Sequence, residues 1–311
     1  MWFSNLQFYR FTKLFTLSPE VLAEHLASKA FRPCGKLDLF TYGWVSPLGR
    51  YSDELVHVAN GSILLCARKE EKVIPSSVIR DEVNERAQDI EQQQGRPVSR
   101  KEREAIKEEV LQDLLPKAFT RSQRIFLYIS PKDNLLVVNC SSAKKTEELL
   151  SYLRTTLGSL PIVSPSLLAS PAAIMTSWLV DDDAPTDFII EDECELREAG
   201  DEGSIVRCKR QDLVSDEVLT HLKAGKQATK LSITWQDSLS CILNEDLSIQ
   251  RLRFNQEVLD QGSDIDSDDI IAQLDNDFSV MTLELARFIP RLLEVLGGEN
   301  KEAYNKLEQA A

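Results

Sequence analysis

Apolar and polar positions alternate in short runs along the N-terminal part of the chain. Alternation over residues 5–11 predicts a strand, and Ser18-Pro19 favours the start of a helix, because serine can cap it and proline fits its first turn. Two further predicted strands, 55–59 and 62–67, lie on either side of Asn60-Gly61, a dipeptide typical of tight hairpin turns. This part therefore predicts antiparallel strands with a helix packed outside them.

The pattern changes to a helical period in the next segment. Residues 76–94 and 99–115 each carry one thin apolar stripe among many charges, and Gly95-Arg96-Pro97 separates them. Ser99 and Glu102 have the spacing of a capping box at the start of the second helix. Two long, highly charged helices of this kind are typical of a protruding helical hairpin, although a helix pair packed on the surface fits the pattern equally well.

Strand and helix patterns recur after this pair. The predicted elements are strands at 124–129 and 135–139, helices at 142–157 and 172–179, a strand at 204–209, a helix at 215–224, a strand meander at 230–254 and a long helix at 278–296. We therefore predict an α+β fold with antiparallel sheets and flanking helices, built as two similar modules with a protruding helical hairpin. The predicted domains are a central one (1–75 with 117–165), a helical tip (76–116) and a second α+β domain, the base (166–311).

The composition favours a globular protein, with 42% hydrophobic and 28% charged residues. No apolar run approaches the roughly 20 residues that a bilayer span requires. Polar residues interrupt the N-terminus, where a secretory signal would need an unbroken apolar stretch. We therefore expect a cytoplasmic protein without membrane contact. The six cysteines are scattered without a C-x-x-C pair, so we expect buried free thiols.

The net charge of −14 is unevenly distributed along the chain. Residues 181–202 carry a net charge of −10 and residues 257–311 carry −9, which leaves +5 for the remainder. A chain that segregates charge in this way can present one basic surface while the rest of its exterior stays acidic. Solvated acidic faces alone are the commoner explanation of such runs.

Residues suited to catalysis or metal binding are sparse and poorly spaced. The three histidines are far apart in the sequence: His25, His57 and His221. Gly225-Lys226 lacks the first glycine and the hydroxyl residue of a phosphate-binding loop. The carboxylates of 264–269, with Asp275, resemble a calcium loop, but an acidic helix start explains them equally well. A magnesium-dependent nuclease that uses them is a weaker option, and we expect no catalysis, no metal and no cofactor.

Basic residues recur at the ends of predicted strands and in loops, where side chains of separate elements can converge. Those that we single out are Arg96, Lys117, Arg121, Lys209, Arg210, Lys226 and Lys230, with Gln211 as a hydrogen-bond donor. Phosphate binding needs only positive charge and donors, and it carries no sequence information. Since the sequence has no helix-turn-helix, zinc-finger or basic-zipper motif, we predict double-stranded DNA binding through the backbone alone.

Short motifs occur in order along nearly the whole chain. They are Trp2-Phe3-x-Asn5-Leu6-x-x-Tyr9-Arg10, Phe31-Arg32-Pro33-Cys34-Gly35, Gly43-Trp44-Val45, His57-Val58-Ala59-Asn60-Gly61, Ala67-Arg68-Lys69-Glu70-Glu71-Lys72, Leu114-Leu115-Pro116-Lys117-Ala118-Phe119, Ser142-Ala143-Lys144-Lys145, Leu157-Gly158-Ser159-Leu160-Pro161, Lys209-Arg210-Gln211-Asp212-Leu213 and Leu296-Gly297-Gly298-Glu299. Together they resemble the recombination-associated RdgC family. The resemblance implies a ring-shaped homodimer whose basic central hole encircles double-stranded DNA. It also implies a nucleoid-associated protein that restrains the RecA recombinase by occupying DNA.

The resemblance further implies roles for individual residues. It places Phe119 at the contact between the tips of the two protomers. The residues that it places toward the hole are Arg96, Lys117, Arg210, Gln211 and Lys226. The run 181–202 is richer in carboxylates than the family leads us to expect. An alternative function is therefore a protein-interaction regulator of a recombinase that acts through this acidic surface, with DNA contact incidental.

Overall fold

Two antiparallel sheets with helices packed against them form the protein, which confirms the predicted α+β class. The structure is a computed structural model and describes residues 1–200, 203–263, 269–301 and 304. Within these residues, the first sheet has seven strands and the second has five. The boundaries of the three predicted domains stay a prediction.

The first sheet is built around two long neighbouring strands. Its strands are β1 (Gln7–Phe11), β2 (Phe40–Val45), β3 (Val56–Ala59), β4 (Ser62–Val73), β5 (Phe119–Ser130), β6 (Leu135–Val138) and β7 (Ile162–Val163). β4 pairs with β5 from Ile63–Ile129 to Val73–Phe119, and β2 and β3 share the other edge of β4. The sequence predicted only the apolar halves of β4 and β5, because the remaining half of β4 carries charged residues on both faces and that of β5 is mostly polar, so neither shows alternation.

Helices separate the groups of strands. Those that the structure describes are α1 (Pro19–Ala27), α2 (Ser76–Gln94), α3 (Arg100–Leu114), α4 (Ala143–Leu157), α5 (Pro171–Asp181), α6 (Asp216–Lys223), α7 (Gln256–Ser263) and α8 (Ile270–Val295). α1 and α4 pack on one face of the first sheet, where Leu26, Leu153 and Trp44 are buried. The Trp44 indole N–H donates to the Thr156 hydroxyl over 3.0 Å, and this bond ties β2 to α4.

α2 and α3 form the predicted helical hairpin. Gly95 ends α2 in the left-handed region, with a φ of 64°. The predicted capping box is confirmed, because the Ser99 hydroxyl accepts from the Glu102 N–H and the Glu102 carboxylate accepts from the Ser99 N–H. The hairpin has a small apolar core of its own, made by Val83, Ala87, Ile106 and Val110. A separate core is what a protruding hairpin requires.

The second sheet has the strand order β12-β11-β10-β8-β9. Its strands are β8 (Phe188–Arg197), β9 (Ile205–Lys209), β10 (Gln227–Trp235), β11 (Leu239–Asn244) and β12 (Ile249–Phe254). The sequence pattern of 181–202 is that of an acidic run and predicts no strand there. β8 nevertheless forms in it because Cys194 and Leu196 face the core, while Glu193 and Glu195 alternate with them on the opposite face.

Residues of both sheets share one hydrophobic core. Leu6, just before β1, and Ile249 of β12 exchange two backbone hydrogen bonds, of 2.8 and 2.9 Å. Leu64 and Tyr128 of the first sheet lie in the same cluster as the inner face of the second. The two sheets are therefore joined by apolar packing as well as by the backbone.

The longest helix, α8, covers the inner face of the second sheet. Its Phe278 and Phe288 side chains are fully buried. α8 begins at Ile270, earlier than the predicted residue 278, because the Asp269 carboxylate caps it by accepting from the Ile271 and Ala272 N–H groups. In the described parts of the chain, no helix combines the length and hydrophobicity needed to span a bilayer.

Candidate nucleic-acid interface

The outer face of the second sheet carries a hollow lined by basic side chains. Its cations are Arg207 and Lys209 of β9, Lys230 of β10 and Arg251 of β12. Alternation along the strands puts these side chains opposite the residues that face the core. The hollow has a volume of about 430 Å³, and Glu193 and Glu195 of β8 lie among the cations.

The buried residue Glu195 lies among the cations of this hollow and exposes only 5% of its surface. Its carboxylate lies 2.8 Å from Arg207 Nε, 3.7 Å from Lys230 Nζ and 3.6 Å from Arg197 Nη2. Burial raises the pKa of Glu195, but the hydrogen bond from Arg207 and the neighbouring positive charges outweigh burial and bring the pKa below its ordinary value. The carboxylate is therefore ionised at neutral pH and holds three cations close together.

Glu193 holds the remaining two cations of the hollow. Arg251 Nη2 lies 2.6 Å from one carboxylate oxygen, and Lys209 Nζ lies 3.4 Å from the other. The hydrogen bond from Arg251, followed by the Lys209 contact, lowers the pKa of Glu193 in spite of partial burial. Half or more of each of the Arg207, Lys209 and Arg251 side chains stays exposed, so their charges face solvent.

A second basic hollow, of about 280 Å³, lies between the first sheet and the start of α4. Its cations are Lys69 of β4, Arg121 of β5, and Lys144 and Lys145 of α4. Lys69 Nζ lies 2.6 Å from Glu148, and Lys145 Nζ donates to the Gln123 side chain over 2.7 Å. Neither the Arg121 nor the Lys144 side chain has an ion-pair or hydrogen-bond partner among the residues that the structure describes.

The two hollows adjoin at the loop between β6 and α4. Ser141 lines the hollow of the second sheet, and Ser142, the next residue, lines that of the first. Asn139 holds this loop, because its Oδ1 accepts from the backbone N–H groups of Ser4 (3.2 Å) and Asn5 (3.1 Å). We call the combined surface the basic strip and define it by Lys69, Arg121, Lys144, Lys145, Arg207, Lys209, Lys230 and Arg251. The strip crosses both sheets of a chain whose net charge is −14.

Three of the predicted DNA-binding residues lie in the basic strip: Arg121, Lys209 and Lys230. Arg96 lies instead in the turn of the helical hairpin, where it makes a two-pronged ion pair with Glu102, at 2.6 and 3.0 Å. Lys117 is exposed in a short 3-10 turn between α3 and β5. Arg96 and Lys117 therefore line neither of the two basic hollows.

The other three predicted DNA-binding residues lie near carboxylates at the β9 side of the second sheet. Arg210 and Gln211 line a groove together with Asp182, Glu191, Asp192 and Asp212, which we call the acidic groove. Gln211 Nε2 donates to the Glu217 carboxylate over 2.8 Å. Lys226 Nζ lies 3.8 Å from Glu198 and contacts Ser204. The DNA contacts of these three residues stay a prediction from the resemblance.

Phe119, the predicted dimer contact, is strongly exposed at the start of β5. It exposes 87% of its surface, and its partner across the ladder, Val73, exposes 46%. Phe119 and Val73 are thus neighbouring exposed apolar side chains, and contiguous exposed apolar patches mark surfaces that another molecule covers.

Five cations of the strip were not among the predicted DNA-binding residues: Lys69, Lys144, Lys145, Arg207 and Arg251. The first three stand in the motifs that carry the resemblance. Arg207 could have been found, because it lies two residues before Lys209 on a predicted strand and alternation puts both on one face. Arg251 could not, because its place in the strip depends on Glu193 of β8, a strand that the sequence pattern does not predict.

The acidic cluster considered as a metal loop falls largely outside the described residues. Asp269, its last member, caps α8, and Asp275 lies 3.1 Å from His57 Nε2. Among described residues, no group of three or more histidine, cysteine, aspartate or glutamate side chains is placed to hold a metal ion.

Comparison with known proteins covers almost the entire chain. Residues 1–299 match the family model described as "Putative exonuclease, RdgC". The chain is 49% identical to the recombination-associated protein RdgC of Tolumonas auensis, over 97% of this chain and 100% of that protein. It is 48% identical to the protein of that name from Aeromonas hydrophila, over 97% and 99% of the two chains. It is 45% identical to the protein of that name from Pseudomonas fluorescens, over 96% of this chain and 98% of that protein.

Proposed function

Because the chain belongs to the RdgC family of recombination-associated proteins, we propose that it binds double-stranded DNA without reading the sequence. In this proposal two copies form a ring around the duplex, and the ring restrains a RecA-type recombinase by occupying DNA. The observation that carries the proposal is the basic strip, where cations from both sheets adjoin in an otherwise acidic chain.

The chemistry of the strip suits phosphates better than bases. Eight cations face four carboxylates in the two hollows, so the strip keeps a positive excess. Arg121 and Lys144 have no protein partner within the described chain and are therefore free to neutralise phosphates. The cations project from strands and from the start of α4, and a broad sheet face of this kind suits contact with the DNA backbone.

Replacing both unpartnered cations should weaken binding to every duplex alike. We expect Arg121→Gln with Lys144→Gln to lower the affinity at least about tenfold, because each protomer loses two phosphate contacts and neither side chain supports the fold. Fluorescence anisotropy with two labelled duplexes of unrelated sequence measures this. The matched control is Lys36→Gln with Lys132→Gln, which removes the same charge from exposed sites outside the strip. Equal losses in both double variants, or a loss on one duplex only, would contradict the proposal.

Dimer formation should depend on Phe119. We expect Phe119→Ala to weaken self-association by about thirtyfold, because buried aromatic residues often dominate the binding energy of an interface. Sedimentation velocity over a range of protein concentrations measures the dimer constant. Leu14→Ala is the control, since Leu14 is 76% exposed at another place on the chain. An unchanged constant for Phe119→Ala would remove this residue from the interface.

We also propose that the protein does no chemistry on DNA, although the matching family model is described as an exonuclease. We expect end-labelled linear duplex to keep its full length when it is incubated with the protein and Mg²⁺ or Mn²⁺. Ends that shorten with protein concentration would overturn this part of the proposal. Binding to the duplex would be unaffected by that result, so the two parts can be distinguished.

A further inference from the structure

β9 is shorter than β8 and leaves part of one edge of β8 unpaired. β9 pairs with β8 only from Glu193 to Arg197. Residues Phe188, Ile189 and Ile190 pair with β10 on one side, and no strand of the described chain pairs with them on the other. The acidic groove, about 640 Å³ in volume, lies along this open edge.

A turn at Arg210 keeps β9 from covering the edge. Arg210 has a φ of 55°, in the left-handed region, and ends the strand. The Gln211 N–H makes one bond to the Asp192 carbonyl, at 3.3 Å, and the chain then leaves toward the buried Leu213. The far wall of the groove is therefore made by 210–214, and the space between this wall and β8 is open.

The lining of the groove combines negative charge with exposed apolar side chains. Four carboxylates face one cation: Asp182, Glu191, Asp192 and Asp212 against Arg210. Ile189 on β8 exposes 51% of its surface and Val214 on the far wall exposes 44%. Unpaired strand edges with apolar neighbours bind extended peptides, with backbone hydrogen bonds supplying affinity and alternate side chains supplying specificity.

We propose that the acidic groove binds an extended, lysine- or arginine-rich segment of a partner protein as an added strand beside β8. The open stretch Phe188–Glu191 would accommodate about four residues, roughly 13 Å of strand. The surplus of carboxylates selects a basic segment. It disfavours a second copy of this chain on the same edge, because that pairing would bring two identical sets of carboxylates together. It equally disfavours DNA.

The probe that tests this is a fluorescent, end-blocked hexapeptide in which lysine and valine alternate. We expect it to bind the full-length protein, and we expect a version with glutamate in place of lysine not to bind. N-methylation of alternate amides should reduce the affinity at least about tenfold, because an added strand needs its N–H groups. If the methylated peptide binds as tightly as the parent, charge attraction alone holds the peptide, and the proposal is overturned.

Variants of the groove separate this site from the basic strip. Asp182→Asn with Asp192→Asn should weaken peptide binding about tenfold and should not weaken duplex binding. Asparagine is chosen because Asp182 has a φ of 52°, which asparagine tolerates. The control, Asp53→Asn with Asp89→Asn, removes the same charge elsewhere and should leave peptide binding unchanged. An equal effect of both pairs, or no peptide binding by the unmodified protein, would overturn the proposal. A shift in self-association of the groove variant without peptide would assign the edge to a second copy instead.

Discussion

Raising the salt concentration from about 50 to about 200 mM is expected to lower the affinity for duplex DNA by three to five orders of magnitude. Each neutralised phosphate releases counterions and contributes a log–log slope of about −0.9. The strip has eight cations and four carboxylates, an excess of four per protomer. The proposed ring of two protomers would then neutralise about eight phosphates, which corresponds to a slope of about −7.

Anisotropy titrations at several salt concentrations measure this slope. Arg121→Gln with Lys144→Gln should make it shallower by about two for each protomer that contacts the duplex, whereas the Lys36→Gln and Lys132→Gln control should leave it unchanged. A slope near half the expected value would indicate one bound protomer and count against the ring. A slope close to zero would show that phosphates are not the ligand, and the proposed function would fail.

Local signals were sufficient to predict the helical hairpin and part of the strip. The capping box at Ser99 depends only on residues close in the sequence, and so does the hairpin turn at Asn60-Gly61. Lys209 and Lys230 could be predicted as exposed strand cations for the same reason. β8 could not, because four carboxylates interrupt its apolar residues. What stabilises Glu195 in it is Arg207 and Lys230 on neighbouring strands.

Some of the motif residues that carried the resemblance contribute to the packing of the fold. Phe31 and Gly43 belong to two separate motifs, and the structure brings their backbones into contact. The Phe31 N–H donates to the Trp44 carbonyl over 2.9 Å, and the Trp44 N–H donates to the Lys29 carbonyl over 3.0 Å. The segment after α1 thus lies against β2 at a spacing that no sequence pattern reveals. Because the two backbones lie this close together, position 43 requires glycine.

Gly43→Ala is expected to lower the free energy of unfolding by roughly 3 kcal/mol or more. A Cβ at this position would lie 2.3 Å from Phe31 Cα and 2.5 Å from Phe31 N. Both atoms are backbone, and the hydrogen bonds to Trp44 and Lys29 on either side prevent the segment from moving away. The Arg68 guanidinium, stacked 4.4 Å from the centre of the Phe31 ring, would be displaced with it. Urea unfolding followed by tryptophan fluorescence measures the loss.

Gly35→Ala is the matched control for this substitution, because it adds the same methyl group to the segment between α1 and β2. Its Cβ would meet Asp38 Oδ2 at 3.2 Å, a side-chain atom that can shift by a few tenths of an ångström, so the cost should stay below about 1 kcal/mol. If the two variants lose equal stability, the cost comes from replacing glycine as such and the close approach at Phe31 is not its cause. The other outcome is that Gly43→Ala alone is destabilised and its folded fraction still binds duplex DNA. The motif Gly43-Trp44-Val45 then stabilises the sheet on which Lys69 and Arg121 lie, and it makes no DNA contact of its own.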